Sequence, residues 1–224
     1  MKLQLTVILC VMLMASHAMA EDKTELKTQK DKLGYAIGLD LGKSLRKNSV
    51  DVDLPVVMQG VKDGLTGGKE LLTDEQIKET FTAFQQGRAE KTKKEGESFL
   101  AANKKKDGVI TLASGLQYKI IKTGSGKTPK AIDSVTVNYR GTLIDGTEFD
   151  SSIKRGQPAT FQVNGVIPGW TEALQLMREG SKWQLFVPSN LAYGERGAGS
   201  TIGPNEVLIF EVELISINKP EKHY

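Results

Sequence analysis

A chain of 224 residues with a formal net charge of +3 has room for one ordinary domain plus a smaller one. Its interleaved charges do not form the basic stripe that a nucleic-acid ligand requires. The single cysteine and one of the two histidines lie within the first twenty residues, and the other histidine, His223, is next to last, so the body of the protein has no means for disulfides, thiolate nucleophiles, Ser-His-Asp catalysis or His-based zinc sites, and neither a metal nor a cofactor is expected.

Residues 1–20 read as a secretory signal peptide. Lys2 supplies the positive start, "LQLTVILCVMLMA" the apolar stretch and "SHAMA" an Ala-x-Ala end, with cleavage expected after Ala20. That stretch is too short for a membrane span, and nothing later in the chain approaches one. Residues 21–72 are expected to form a helical dimerisation region. Leu33, Ile37, Leu41 and Leu45 recur every fourth residue, with Gly34, Gly38 and Gly42 beside them. Each glycine costs a helix roughly 1 kcal/mol against alanine, so the stripe points to a close approach of two helices. "LPVVMQGVKDGL" suits a second helix, with Pro55 in its first turn and Val57, Val61 and Leu65 at helical spacing. A region this small buries such stripes poorly alone, which predicts a homodimer.

Residues 73–108 are expected to form a long connecting helix. Thr73 with Gln76 makes a capping box, Asp74 and Glu75 favour the N-terminus, and Ile77, Phe81 and Phe84 give an apolar stripe. Beyond Phe84 no buried face is expected until Phe99 and Leu100, and Gly87 and Gly96 read as weak points. At 1.5 Å per residue, a helix reaching Asn103 would be about 45 Å long.

Residues 109–224 change texture. Leu116, Tyr118 and Ile120 alternate, as do Val135, Val137 and Tyr139, and Asp145-Gly146 is a hairpin signal. "TFQV" and "KWQLFV" read as strands. "NEVLIFEVELISI" places Leu208, Phe210, Val212 and Leu214 on an inner row. Among these strands "VIPGWTEALQLM" reads as a lone helix with Trp170 in its first turn and Leu174, Leu176 and Met177 on its apolar side. The expectation is an α+β domain of antiparallel strands with one helix. Gly42-Lys43-Ser44 and Gly126-Lys127-Thr128 echo a phosphate loop, but Ile37 and Ile121 stand where its first glycine belongs. Taken singly, Trp170, Phe161 and Phe210 suit a plain core, Asp150 a turn, Arg155 its surface partner and Tyr193 a loop anchor.

Four strings in order, "YRGTLIDGTEFDSS", "VIPGWTEAL", "VPSNLAYGERGAG" and "LIFEVELI", resemble the FKBP-type peptidyl-prolyl cis-trans isomerases over residues 116–217. The layout of signal peptide, helical region, long helix and FKBP domain is similar to the Mip/FkpA subgroup. The resemblance implies a sheet curled around one helix, with Trp170 flooring a proline-binding pocket. It implies catalytic roles for Asp150, Tyr193 and Ile167. Tyr139, Phe149, Arg155, Phe161, Val166, Trp170, Ile202 and Phe210 would bind substrate. Ala159 and Ala198 stand where many members carry an aromatic and a histidine, so one wall should be more open and the rim less polar.

The implied activity is isomerisation of Xaa-Pro bonds in exported, unfolded polypeptides. Amide resonance sets a barrier of about 18–20 kcal/mol, and an apolar pocket favours the twisted, less polar transition state. The implied setting is the periplasm, with outer-surface association as a further location. The implied partners are proline-containing unfolded chains, macrolide inhibitors of the family and a second copy of the chain, with no nucleic acid and no membrane span. The alternative is a holdase chaperone or surface interaction protein that uses the FKBP domain mainly for binding.

Overall fold

The computed structural model describes residues 25–218, so the predicted signal peptide and His223 lie outside the described residues. The chain divides into two units, residues 1–71 and 72–224.

In the first unit, α1 (Gln29–Lys47) opens on a capping box in which Thr28 Oγ accepts the Asp31 N–H and the Asp31 carboxylate accepts the Thr28 N–H. Helix α2 (Leu54–Thr66) is capped by Asp53, has Pro55 in its first turn and stops at Gly67, whose φ of 63° suits glycine. Neither helix buries a single residue, and Leu33 is 60% and Ile37 63% exposed. A Cβ on Gly34, Gly38 or Gly42 would meet nothing within 4 Å. Within one chain, the expected close helix approach is not made.

The second unit begins with α3 (Asp74–Asn103), opened by the expected capping box of Thr73 and Gln76. There follow β1 (Val109–Thr111), β2 (Gln117–Lys122), β3 (Ser134–Thr142), β4 (Glu148–Ser151), β5 (Ala159–Gln162), α4 (Pro168–Leu174), β6 (Lys182–Val187) and β7 (Leu208–Asn218). The strands form one antiparallel sheet in the order β1-β2-β6-β7-β3-β4. Strand β3 is long enough to serve two partners on one edge, β5 along Ser134–Val137 and β4 along Arg140–Thr142.

The inner rows follow side-chain parity. Val135, Val137 and Tyr139 on β3 meet Leu208, Phe210, Val212 and Leu214 on β7, all buried. Leu174 and Met177, on α4 and the turn after it, close this core, but Leu176 is 45% exposed, contrary to expectation, because the helix has already ended at Leu174. On β2 the expected row fades toward the sheet edge: Leu116 is buried and Tyr118 stacks on Trp183, whereas Ile120 is 42% exposed.

Part of the outer side, around Gln117, Phe186 and Val207, is covered by α3, along more of the helix than the sequence predicts. Ala89, Thr92, Gly96, Phe99, Leu100 and Asn103 form a buried or half-buried stripe at helical spacing. Phe99 lies against Phe186 of β6 with ring centroids 6.0 Å apart. A Cβ on Gly96 would come 2.8 Å from Val207 Cγ2, so this glycine is a contact and not a weak point. Buried Asn103 donates to Gln117 Oε1 at 2.9 Å, and Gln117 donates to the Leu100 carbonyl at 2.9 Å. Those bonds satisfy the Asn103 amide nitrogen and both polar ends of Gln117, which would otherwise be costly to bury, and leave the Asn103 Oδ1 without a partner.

One group opposes this docking. Partial burial of Glu206, then repulsion from Asp145 and Glu95, raises its carboxyl above the usual range, against the pull of Arg88. Because the folded-state pKa is raised, the carboxylate costs stability above that pKa, and the cost disappears as the pH falls below the unfolded value. Glu206→Gln should therefore raise the melting temperature at neutral pH, with the advantage shrinking in acid; an equal shift at all pH values would contradict this account.

Candidate functional site

The concave face of the sheet and α4 enclose a cavity of about 790 Å³. Tyr139 enters it from β3, Phe149 and Asp150 from β4, Phe161 from β5 and Phe210 from β7. Val166 and Ile167 precede α4, Trp170 belongs to its first turn, and Tyr193 and Ile202 come from the connection between β6 and β7. Of the residues the sequence nominates, only Arg155 is not in the wall. It lies behind Asp150, on the turn after β4, and reaches the wall through hydrogen bonds.

The floor is the Trp170 indole, 3% exposed. Tyr139, Phe161 and Phe210 meet it edge to face, at centroid distances of 5.3, 5.9 and 5.2 Å and interplanar angles of 90°, 87° and 80°. Phe149 meets Phe210 at 5.5 Å and 87°. Such T-shaped pairs add about 0.5–1.5 kcal/mol each beyond area burial. Local backbone geometry puts the indole there. Pro168 presets the first turn, and the Ile167 carbonyl accepts from Trp170 N–H at 2.9 Å and Thr171 N–H at 3.0 Å. Gly169 lets the helix lie on β6, since a Cβ there would come 2.5 Å from Val187 Cγ1.

One wall is polar. Tyr139 donates its hydroxyl hydrogen to Asp150 Oδ2, and Arg155 donates to Asp150 Oδ1 and, at 2.9 Å, to the Tyr139 hydroxyl. The Arg155 guanidinium also stands over the Tyr139 ring, 5.5 Å from its centroid. Burial works to raise the Asp150 carboxyl, but the hydrogen bonds from Tyr139 and Arg155 and the charge of Arg155 outweigh it, leaving the group below the usual carboxylate range. Burial, then the bond to Asp150, raises the Tyr139 phenol, which keeps its proton. The site therefore presents an ionised carboxylate, each oxygen hydrogen-bonded, beside an apolar floor. It has no free base, and it is suited to binding and polarising rather than proton abstraction.

Several supporting residues escape the sequence reading. Ser152, fully buried, accepts from the Tyr139 N–H at 2.8 Å and so fixes the backbone beneath the phenol. Gly141 is needed for the aromatic wall, because a Cβ there would come 2.6 Å from Phe149 Cζ and 2.9 Å from Phe210 Cε1. The rim is a small hairpin in which Ala198 and Ile202 exchange backbone hydrogen bonds of 2.8 and 3.2 Å. Gly197 permits it with a φ of 63°, at a point where a Cβ would strike the Ile202 carbonyl at 2.2 Å. Gly199, Ser200 and Thr201 at its tip also line the cavity. Ala198 lines it too, but Ala159 does not: it pairs with Val137 and packs against the core.

Comparison with known proteins places these features in a family. Residues 125–215 match the FKBP-type peptidyl-prolyl cis-trans isomerase family, and residues 30–120 match a domain described as amino terminal to that isomerase. An outer membrane protein MIP of Legionella longbeachae is 51% identical, covering 98% of this chain and 99% of that protein. A peptidyl-prolyl cis-trans isomerase Mip of Coxiella burnetii is 46% identical, over 89% of this chain and 92% of that protein. The crystal structure of FkpA from Escherichia coli superposes with a TM-score of 0.60 at 36% identity, covering 87% of this chain and 99% of that one. The chain belongs to the FKBP-type peptidyl-prolyl cis-trans isomerases.

Proposed function

We propose that the chain isomerises Xaa-Pro bonds in unfolded, exported polypeptides by seating the prolyl ring on Trp170 and stabilising the twisted amide. The observation that carries this reading is an indole floor propped by three ring edges beside an engaged carboxylate. The planar amide keeps resonance worth a barrier of about 18–20 kcal/mol. In the twisted state the carbonyl is less polar, so an apolar, water-poor cavity stabilises it relative to the planar form. No proton moves and no covalent bond forms.

Roles follow from placement. Phe149, Phe161, Val166, Ile202 and Phe210 enclose the ring. Ile167 N–H and Tyr193 O–H hold carbonyls flanking the prolyl bond. Asp150, oriented by Tyr139 and Arg155, faces the rotating carbonyl. A cavity of about 790 Å³ is in the range of drug-sized ligand sites, which supports binding of the macrolide inhibitors that the family resemblance implies.

The first unit is assigned to dimerisation. Its exposed apolar residues on α1 and α2 pack against a second copy. Two pockets on one dimer raise the effective concentration at a second proline of the same client. The apolar N-terminal stretch and the outer membrane name of one relative support export, with the periplasm as the place of work. Among the described residues no helix is long and apolar enough to cross a membrane.

Tyr193→Phe and Asp150→Ala should each lower kcat/KM for a short Xaa-Pro peptide, measured by NMR exchange, while the thermal melt stays cooperative. Full activity in both would reject the site. Gly141→Ala should force the Phe149 and Phe210 rings apart, costing about 1–3 kcal/mol of stability and most of the activity; a neutral result would show that the wall can yield. Because the Asp150 pKa is depressed on folding, its contribution is present above the unfolded value, near 3.9, and is lost only as the pH falls through the lower folded value. Turnover should thus hold level from neutral pH into mild acid. Sedimentation of residues 21–224 should give a dimer at micromolar concentration, and a monomer would remove the dimer assignment.

A further inference from the structure

We propose that Asn205 is a positioning residue that ties Tyr193 to the docked half of α3, so that the helix helps to set the geometry of the pocket. The proposal rests on the site reading above, in which the Tyr193 hydroxyl holds a substrate carbonyl. Tyr193 is 42% exposed, so packing alone does not fix it. Its place depends on backbone ties in the connection between β6 and β7. The residue after it, Gly194, presents a carbonyl that accepts the Asn205 N–H at 2.8 Å. The side chain of Asn205 then donates its amide to the Ala89 carbonyl of α3 at 3.2 Å. One residue thus bonds to the neighbour of Tyr193 through its backbone and to the helix through its side chain.

The backbone of Asn205 explains its identity. Its φ is 61°, a left-handed conformation that asparagine tolerates better than most residues. Glycine would adopt that conformation freely but supply no amide. Ala89 lies inside the helix, where its carbonyl has a second lone pair to offer. The helix itself is held in register by Gly96, whose missing side chain admits Val207 two residues after Asn205. Moving α3 away from Val207 would draw the Ala89 carbonyl off the Asn205 amide and leave the backbone that holds the Gly194 carbonyl without its tie to the helix. The outer-face helix and the inner-face pocket therefore communicate through one side chain.

The test is a double-mutant cycle on the full chain. Asn205→Gly and Asn205→Asp both tolerate the left-handed backbone, and both lack the amide donor. Each should lower kcat/KM on a short Xaa-Pro peptide by roughly two- to tenfold, the worth of one hydrogen bond. In a Tyr193→Phe background, the same changes should have no further effect, because the group they position has been removed. Gly96→Val, which pushes the helix off Val207, should show the same dependence on Tyr193. If the losses multiply in the double variants, Asn205 supports the fold generally and the proposal is wrong. If both Asn205 variants fold and keep full activity, it is also wrong. If Tyr193→Phe alone has no effect, it is the site reading that fails, and the cycle reports that separately.

Discussion

The whole site depends on holding one indole in place. Trp170 is only 3% exposed, yet it lines the cavity, and T-shaped contacts with three other rings hold it there. Tyr139, Phe161 and Phe210 come from three different strands, so the floor is only as rigid as the pairing of β3 with β5 and β7. That pairing explains why the domain needs a curled sheet, and why glycines occur where rings or backbones would otherwise collide.

The polar wall solves a separate problem. A carboxylate beside an apolar floor would normally be driven toward its neutral form by desolvation. Asp150 stays charged because two donors engage it, and both are anchored elsewhere: Tyr139 by Ser152 and Arg155 by the turn that follows β4. The same bonds lower its pKa and so make it a weaker base. An ionised group held in this way contributes a fixed field. That is useful for a reaction in which charge is redistributed but no proton is transferred.

The inner rows of β3 and β7 were legible in the sequence because alternation of apolar residues is a direct consequence of strand geometry. The caps at Thr28 and Thr73 were legible for a similar reason, since two polar side chains at fixed spacing serve known orphan groups. The docking of α3 was not. Phe99 and Leu100 marked its far end, but Ala89, Thr92 and Gly96 are too small or too polar to register as an apolar stripe, and glycine in a helix reads as weakness until a partner is seen against it. The packing of Ala159 against the core beside Val137 was not legible either, because a motif position says nothing about the strand pairing that sets it. Asn205 gave no signal at all, because its role depends on a backbone angle and a carbonyl distant in sequence.

Strand order has a consequence for how the molecule comes into being. Strand β7 is the last of the described strands, yet it lies at the middle of the sheet, between β6 and β3. A chain emerging from the ribosome N-terminus first has α1 to α3 available early, but it cannot join the two halves of the sheet until β7 arrives. Loop closure over such distances is slow, so the domain is a late folder by topology. Until then the segments that will become β1 to β6 cannot close into the finished sheet, so the isomerase half stays the less folded part of the chain while synthesis lasts.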